Sequence, residues 1–271
     1  MLFAHKNCSK CGSSYDVVEN TCPVCHAHNE DFEALKVPPN QVWLPVYKQV
    51  IIFLFGIVAL NIISELLGLI LKPHFVENSV NLILILNFTR YLVVAGLIAV
   101  TLIHSYGKLK DSFVKFLPYI TGFCAGILLI GVNLAYNSIV SIFYTTSVNE
   151  NQSAANSLVN AYPFLSIILL CFIGPAVEEF TYRVGLFSFL SRIHRAVAYA
   201  VTILLFAFIH FGFGATGDAL IVEFLHLPLY AFCGAALCLL YDYMGLSASL
   251  TCHTLNNIIS ILPLLFAKLV S

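Results

Sequence analysis

Gly174-Pro175-Ala176-Val177-Glu178-Glu179-Phe180-Thr181-Tyr182-Arg183 places two adjacent carboxylates and a guanidinium inside a very apolar region. Charges in a membrane-spanning helix cost about 2.5–3.5 kcal/mol each on insertion scales, so a helix carrying three is expected to use them. At about 100° per residue, Glu179 and Arg183 share a face and can form an ion pair. Glu178 points about 100° away from Glu179, so the same arginine does not easily serve both. That leaves Glu178 as the carboxylate free for chemistry. A purely structural charge cluster is the competing reading of these three residues.

Two later stretches shift the balance. One ends Phe206-Ala207-Phe208-Ile209-His210, and another contains His253-Thr254-Leu255-Asn256-Asn257. His253 and Asn257 are four apart and point the same way from one helix, with Asn256 as a less well aligned substitute. A lone histidine in an apolar helix is more often a core residue than a ligand. Two such helices and a spare glutamate on a third can hold water inside a membrane, or bind a divalent metal.

The elements that must position these groups are membrane helices. The chain has 271 residues, 59% hydrophobic and only 10% charged, which excludes an ordinary soluble domain. Its net charge of -1 gives no sign of nucleic-acid binding. The expected fold class is an all-α polytopic membrane protein of about seven spans. They fall near 47–71, 80–103, 116–144, 161–184, 196–213, 219–241 and 247–269, after a linker at 31–46. The region 184–196 is expected to continue a helix or lie at the interface. Trp43 is expected at headgroup level. No early apolar run precedes a small-residue cleavage site, so no cleaved signal peptide is expected.

Lys6, Lys10, Lys36 and Lys48 precede the first span, Lys108, Lys110 and Lys115 follow the second, and Arg192 and Arg195 follow the fourth. The 145–160 segment has neither lysine nor arginine. These biases put the N-terminus in the cytoplasm and, with seven spans, the C-terminus outside. Glu65 and Arg90 are expected to pair or to snorkel. Glu223 and His226, three apart, could face a ligand, but such a pair is more often a satisfied inner contact or lies near an interface; Asp242 is expected to cap a short loop, and Gly234 to mark close helix packing.

Residues 1–30 differ from the rest. Cys8-Ser9-Lys10-Cys11 and Cys22-Pro23-Val24-Cys25 are two Cys-x-x-Cys knuckles suited to one tetrahedral Zn2+ site. The segment is too short to bury a core, so the metal would supply its folding energy. Disulfides or a redox pair are the alternative. His5, His26 and His28 are spare donors beside four thiolates that already complete a site. The other five cysteines read as small buried hydrophobes.

The order Glu-Glu-x-x-x-Arg, Phe-x-x-x-His and His-x-x-x-Asn on successive apolar helices resembles the CPBP family, the CAAX-protease and bacteriocin-processing (Abi) intramembrane endopeptidases. The resemblance covers roughly residues 160–260. The ribbon is similar to those that begin many bacterial proteins. The resemblance implies that Glu178 is the general base, that His210 holds or polarises the water, and that His253 and Asn257 steady the oxyanion. Glu179 and Arg183 brace the site.

It leaves a catalytic divalent metal open. Glu178, His210 and His253 can make a three-ligand site, or work without one; Asn257 suits a donor role better than a ligand role. A peptide or protein substrate, membrane lipid and a protein partner of the ribbon are implied. The competing readings are a non-catalytic membrane regulator or immunity protein on the same scaffold, and a proton-coupled transporter.

Overall fold

A computed structural model describes residues 5–17, 19–30, 40–76, 79–144 and 148–270. Lys36 and most of the 31–46 linker lie outside the described residues. Within them, β1 (His5–Asn7) and β2 (Ser14–Asp16) pair antiparallel in a small N-terminal hairpin. Helices follow as α1 (Val46–His74), α2 (Val80–Leu102), α3 (Tyr106–Val114), α4 (Leu117–Phe143), α5 (Glu150–Ala161), α6 (Pro163–Ser191), α7 (Arg195–Phe208), α8 (Asp218–Met244) and α9 (Leu246–Val270).

Six of these are long and apolar enough to cross a membrane, counting α2 with α3 as one run. Leu66, Leu69, Leu128, Leu134 and Ile142 stand on their outer faces, as lipid-facing side chains should. The chain is thus an all-helical, polytopic membrane protein with a small four-cysteine region at its N-terminal end. The span expected at 196–213 is the exception. Helix α7 has 14 residues, about 21 Å at 1.5 Å per residue, short of a 30 Å hydrocarbon core.

Local chemistry sets the helix ends. The Ser79 and Asn149 side chains cap α2 and α5 by accepting from the backbone N–H of Leu82 and Gln152. Helix α5 occupies most of the 145–160 segment that lacks lysine and arginine; residues 145–147 lie outside the described residues. Gly245 ends α8 at φ +97, and a Cβ there would meet the Asn40 carbonyl at 3.1 Å. Region 184–196 continues α6 as far as Ser191.

Small residues let the helices close up. Gly122 and Gly126, four apart on α4, face Ala248, Thr251 and Leu255 of α9. Gly56 of α1 lies against Thr181 of α6, and Gly185 of α6 against the Phe53 backbone. Gly234 of α8 packs on Phe206, as its sequence neighbourhood suggested. Among the scattered cysteines, Cys171, Cys238 and Cys252 are buried, whereas Cys124 is exposed.

The hairpin is tied to one end of the bundle. Gln41, Val42, Trp43 and Leu44 form a buried strap. Gln41 donates to Asp242, and the Val42 N–H to the Tyr241 hydroxyl. Arg192, just past α6, donates to the Leu44 carbonyl at 2.6 Å and to Gln49 at 3.0 Å, lies 4.9 Å over the Trp43 ring and pairs with Asp16 at 3.6 Å. Lys108 pairs with Glu19 at 2.7 Å. Trp43 is therefore a packed contact rather than a free interfacial anchor. Asp242 takes Arg195, Tyr199 and Gln41, so it joins α8 to α7 and the strap instead of capping a loop.

Candidate active site

Helix α6 carries the paired carboxylates within a backbone that is π-helical over Ile167–Ile173 and Phe180–Phe187. Such irregularities recur at functional sites because they re-aim side chains. Glu179 is fully buried; its Oε2 lies 3.3 Å from Arg183 Nε. The pair expected from four-residue spacing is present. Arg183 also donates to the Gly234 carbonyl at 3.4 Å and rests 4.6 Å over the Phe206 ring.

Glu178 points elsewhere and keeps 16% of its side chain exposed. Its Oε1 accepts from the Tyr91 hydroxyl at 3.2 Å. Its Oε2 faces His253 Nε2 at 3.7 Å. The other ring nitrogen of His253 lies 2.9 Å from Glu179 Oε1. One imidazole therefore spans both carboxylates, held by Glu179 and presented to Glu178.

His210 follows the end of α7, and its Nδ1 bonds the Phe206 carbonyl at 2.8 Å. Its ring stacks on Tyr230 at 4.5 Å, near the middle of α8. Helix α7 ends at Phe208, and the backbone turns at Ile209 and His210. Phe206 is the hub, with ring centres 5.0 Å from His210, 5.8 Å from His253 and 5.5 Å from Tyr182.

Asn257 is placed differently from the expectation. Its amide donates to the Leu170 carbonyl at 2.8 Å, inside the first π-helical stretch of α6, and its Oδ1 accepts from Asn256 at 3.4 Å. In this arrangement it locks α9 to α6.

Glu223 is a satisfied inner contact, as expected. Its carboxylate accepts the backbone N–H of Glu150 at 2.7 Å and of Gly212 at 3.0 Å. It steadies the turn after His210. His226 bonds the Val222 carbonyl on its own helix. Glu65 and Arg90 form no pair among the described residues; Arg90 donates to Asn87 instead.

Sequence reasoning passed over Tyr91, Tyr230 and Phe206. Tyr91 lies on a helix without any motif, and only the structure brings it to Glu178. Phe206 was visible as the first letter of Phe-x-x-x-His, but four-residue spacing joins it only to His210 and says nothing of Tyr182, His253 or Arg183.

The sulfur atoms of Cys8, Cys11, Cys22 and Cys25 all lie within 4.8 Å of one another. Cys8–Cys25 is 3.5 Å and Cys11–Cys22 is 3.6 Å, far beyond a disulfide of about 2.05 Å. They are close to the ~3.8 Å edge of a tetrahedron with 2.3 Å metal–sulfur bonds. The Ser13 hydroxyl, 3.1 Å from Cys22, draws that thiol down to about 6. The cluster is able to hold a metal ion. It is the one group of three or more such donors close enough to do so among the described residues.

Residues 160–259 match the family described as Type II CAAX prenyl endopeptidase Rce1-like. The match runs from the end of α5 into α9 and takes in Glu178, Glu179, Arg183, His210, His253 and Asn257. The four-cysteine region and α1–α4, including Tyr91, lie outside it. No curated protein and no solved structure matches the chain.

Proposed function

Starting from a segment similar to CAAX prenyl endopeptidases, we propose that the chain hydrolyses peptide bonds of membrane-associated peptides or proteins, with Glu178 as the base that activates water. The observation carrying this reading is the division of labour on α6. Glu179 is consumed by Arg183 and His253, while Glu178 keeps an oxygen turned to His253 Nε2 at 3.7 Å. A water about 2.8 Å from each of those atoms would sit at the apex of a triangle, inside hydrogen-bond range of both.

His210, whose Nδ1–H is spent on Phe206, offers a bare Nε2 to the water's second hydrogen. Glu178 takes the first proton, and the hydroxide adds to the scissile carbonyl. To act on the oxyanion His253 must carry a hydrogen on Nε2, and Glu179 keeps the hydrogen on Nδ1 in line. Collapse expels the amine, which takes its proton from Glu178. Asn257 joins the oxyanion site only if it releases Leu170. No step requires a metal; for a divalent ion to bind here, Glu178, His210 and His253 would have to draw closer together than they stand, and the ion would then polarise the water or carbonyl.

The four cysteines hold a structural Zn2+. The ribbon end of the bundle is cytoplasmic, which agrees with the lysine and arginine bias at that end. The test is cleavage of a fluorogenic prenylated CAAX peptide by purified protein in detergent. Glu178→Gln and His210→Ala should each lower kcat by at least about 100-fold, the scale of general base catalysis. Unchanged cleavage in Glu178→Gln would leave the regulator reading in its place.

A further inference from the structure

We infer that the polar cavity at the end of the bundle far from the ribbon is the route by which water reaches His210, an inference that rests on the hydrolysis proposed above. The cavity measures about 600 Å³ and lies between α5, the start of α2 and the start of α8. Asn149, Glu150, Ser153 and Ser157 give it a polar wall, and Glu223 of α8 adds a carboxylate. Ser153 and Ser157 are exposed, so the space opens to the surface. At about 30 Å³ per molecule it has room for on the order of twenty waters. Polar walls of this kind keep water. A second cavity, of about 500 Å³, is lined by Ala95, Ile98, Leu102, Val177 and Phe180 and is of the apolar kind that stays dry.

Helix α8 fixes which end this is. Glu223 lies near its start, whereas Tyr241 and Asp242 near its other end hold the strap beside the ribbon. The length between them, about 27 Å at 1.5 Å per residue, is close to a hydrocarbon core of about 30 Å. The mouth of the cavity is therefore on the membrane face opposite the ribbon.

Three walls reach the turn that carries His210. The Glu223 carboxylate accepts the Gly212 N–H at 3.0 Å. Gly212 also lies against the Glu150 carboxylate, where a Cβ would not fit. Asn149, itself buried, donates to the Tyr230 hydroxyl at 3.1 Å, and Asn151 does so at 3.2 Å. The Tyr230 ring then stacks on His210 at 4.5 Å. Tyr230 is thus a partition between the cavity wall and the imidazole, latched by α5. Each hydrolysis consumes one water, and a site among membrane helices has to draw it from outside. Polar side chains inside a membrane bundle mark such paths.

The experiment reads wetting without turnover. Single cysteines are introduced into the full chain in sealed vesicles and exposed to a small cationic methanethiosulfonate from one face at a time. Mass spectrometry identifies the modified peptide. Only a thiolate reacts, so a thiol in a dry apolar cavity is slow. Ser157→Cys should react from the face opposite the ribbon at least about 100-fold faster than Ala99→Cys, which lines the apolar cavity. His210→Cys should react from that same face, about tenfold more slowly when Ser153→Trp fills the cavity and several-fold faster with Tyr230→Ala. An unreactive Ser157→Cys overturns the inference. So does a His210→Cys that reacts equally from the ribbon face or ignores Ser153→Trp. These outcomes decide the matter even where the protein cleaves nothing. In protein that does cleave peptide, the Ser157→Cys adduct, formed after folding, should lower kcat about tenfold and leave KM unchanged relative to wild type treated alike, because water is scarce rather than substrate. Full turnover after modification sinks the supply role.

Discussion

Glu178 and Glu179 are neighbours in sequence with opposite fates, and substitution should separate them. Glu179→Gln strands Arg183 without its counter-charge in a fully buried site. Removing one partner of a buried pair costs about 3–5 kcal/mol, so this variant should melt well below wild type in detergent. Glu178→Gln, at a partly exposed position bonded to one tyrosine, should keep its melting temperature and lose cleavage. Asn257 invites a similar contrast. Asn257→Ala leaves the Leu170 carbonyl unpaired and should cost about 1–3 kcal/mol. A fall in kcat with no loss of stability would instead make it an oxyanion donor. Tyr91→Phe removes only the hydroxyl on Glu178 and should lower kcat several-fold with KM unchanged.

At this scale the sequence was legible wherever one helix carries both partners. Four-residue spacing correctly joined Glu179 to Arg183, because both lie on α6. It could not supply Asn257 with Leu170, Glu178 with Tyr91 or His210 with Tyr230, since each of those pairs joins two helices whose rotation and depth no periodicity encodes.

Elements matter through the closeness of their packing. Gly122 and Gly126 bring α4 against α9 on either side of the turn that carries His253. Gly122→Val would push a branched side chain into the Ala248 carbonyl and displace that turn. It should lower activity more than tenfold and reduce thermal stability, while the same change at Gly131, where a Cβ meets nothing within 4 Å, should do neither. Gly56→Ala, against Thr181, tests the α1–α6 contact in the same way, and Thr181→Ala should recover part of the loss. Gly234 on α8 was readable in advance as close packing, but its partner, Phe206 of α7, was not. The length of α7 was overestimated for a physical reason. Apolar residues continue past Phe208 to Phe213, and hydropathy does not register that the backbone turns at Ile209 and His210.

Across the whole molecule, the four-cysteine hairpin and the helix that carries the paired carboxylates meet at Arg192. The same α6 that carries Glu178 ends under a guanidinium shared by Asp16, Gln49, Leu44 and Trp43. Metal binding and the folding of so small a segment are one equilibrium. Composition set the hairpin apart from the membrane helices; that it is strapped down rather than suspended on a linker depends on contacts between residues far apart in the chain, such as Gln41 with Asp242, 201 positions apart. Asp16→Asn with Glu19→Gln should keep the four thiolates and their ion, yet speed proteolysis between the hairpin and α1.

Trp43 is the chain's single tryptophan, and it lies buried at that junction. Its indole is therefore an optical gauge that needs no label. Stripping the ion with a chelator should shift its emission to the red as water reaches the ring, and restoring zinc should reverse the shift. An unmoved spectrum would mean that the strap holds α6 whether or not the cysteines are loaded.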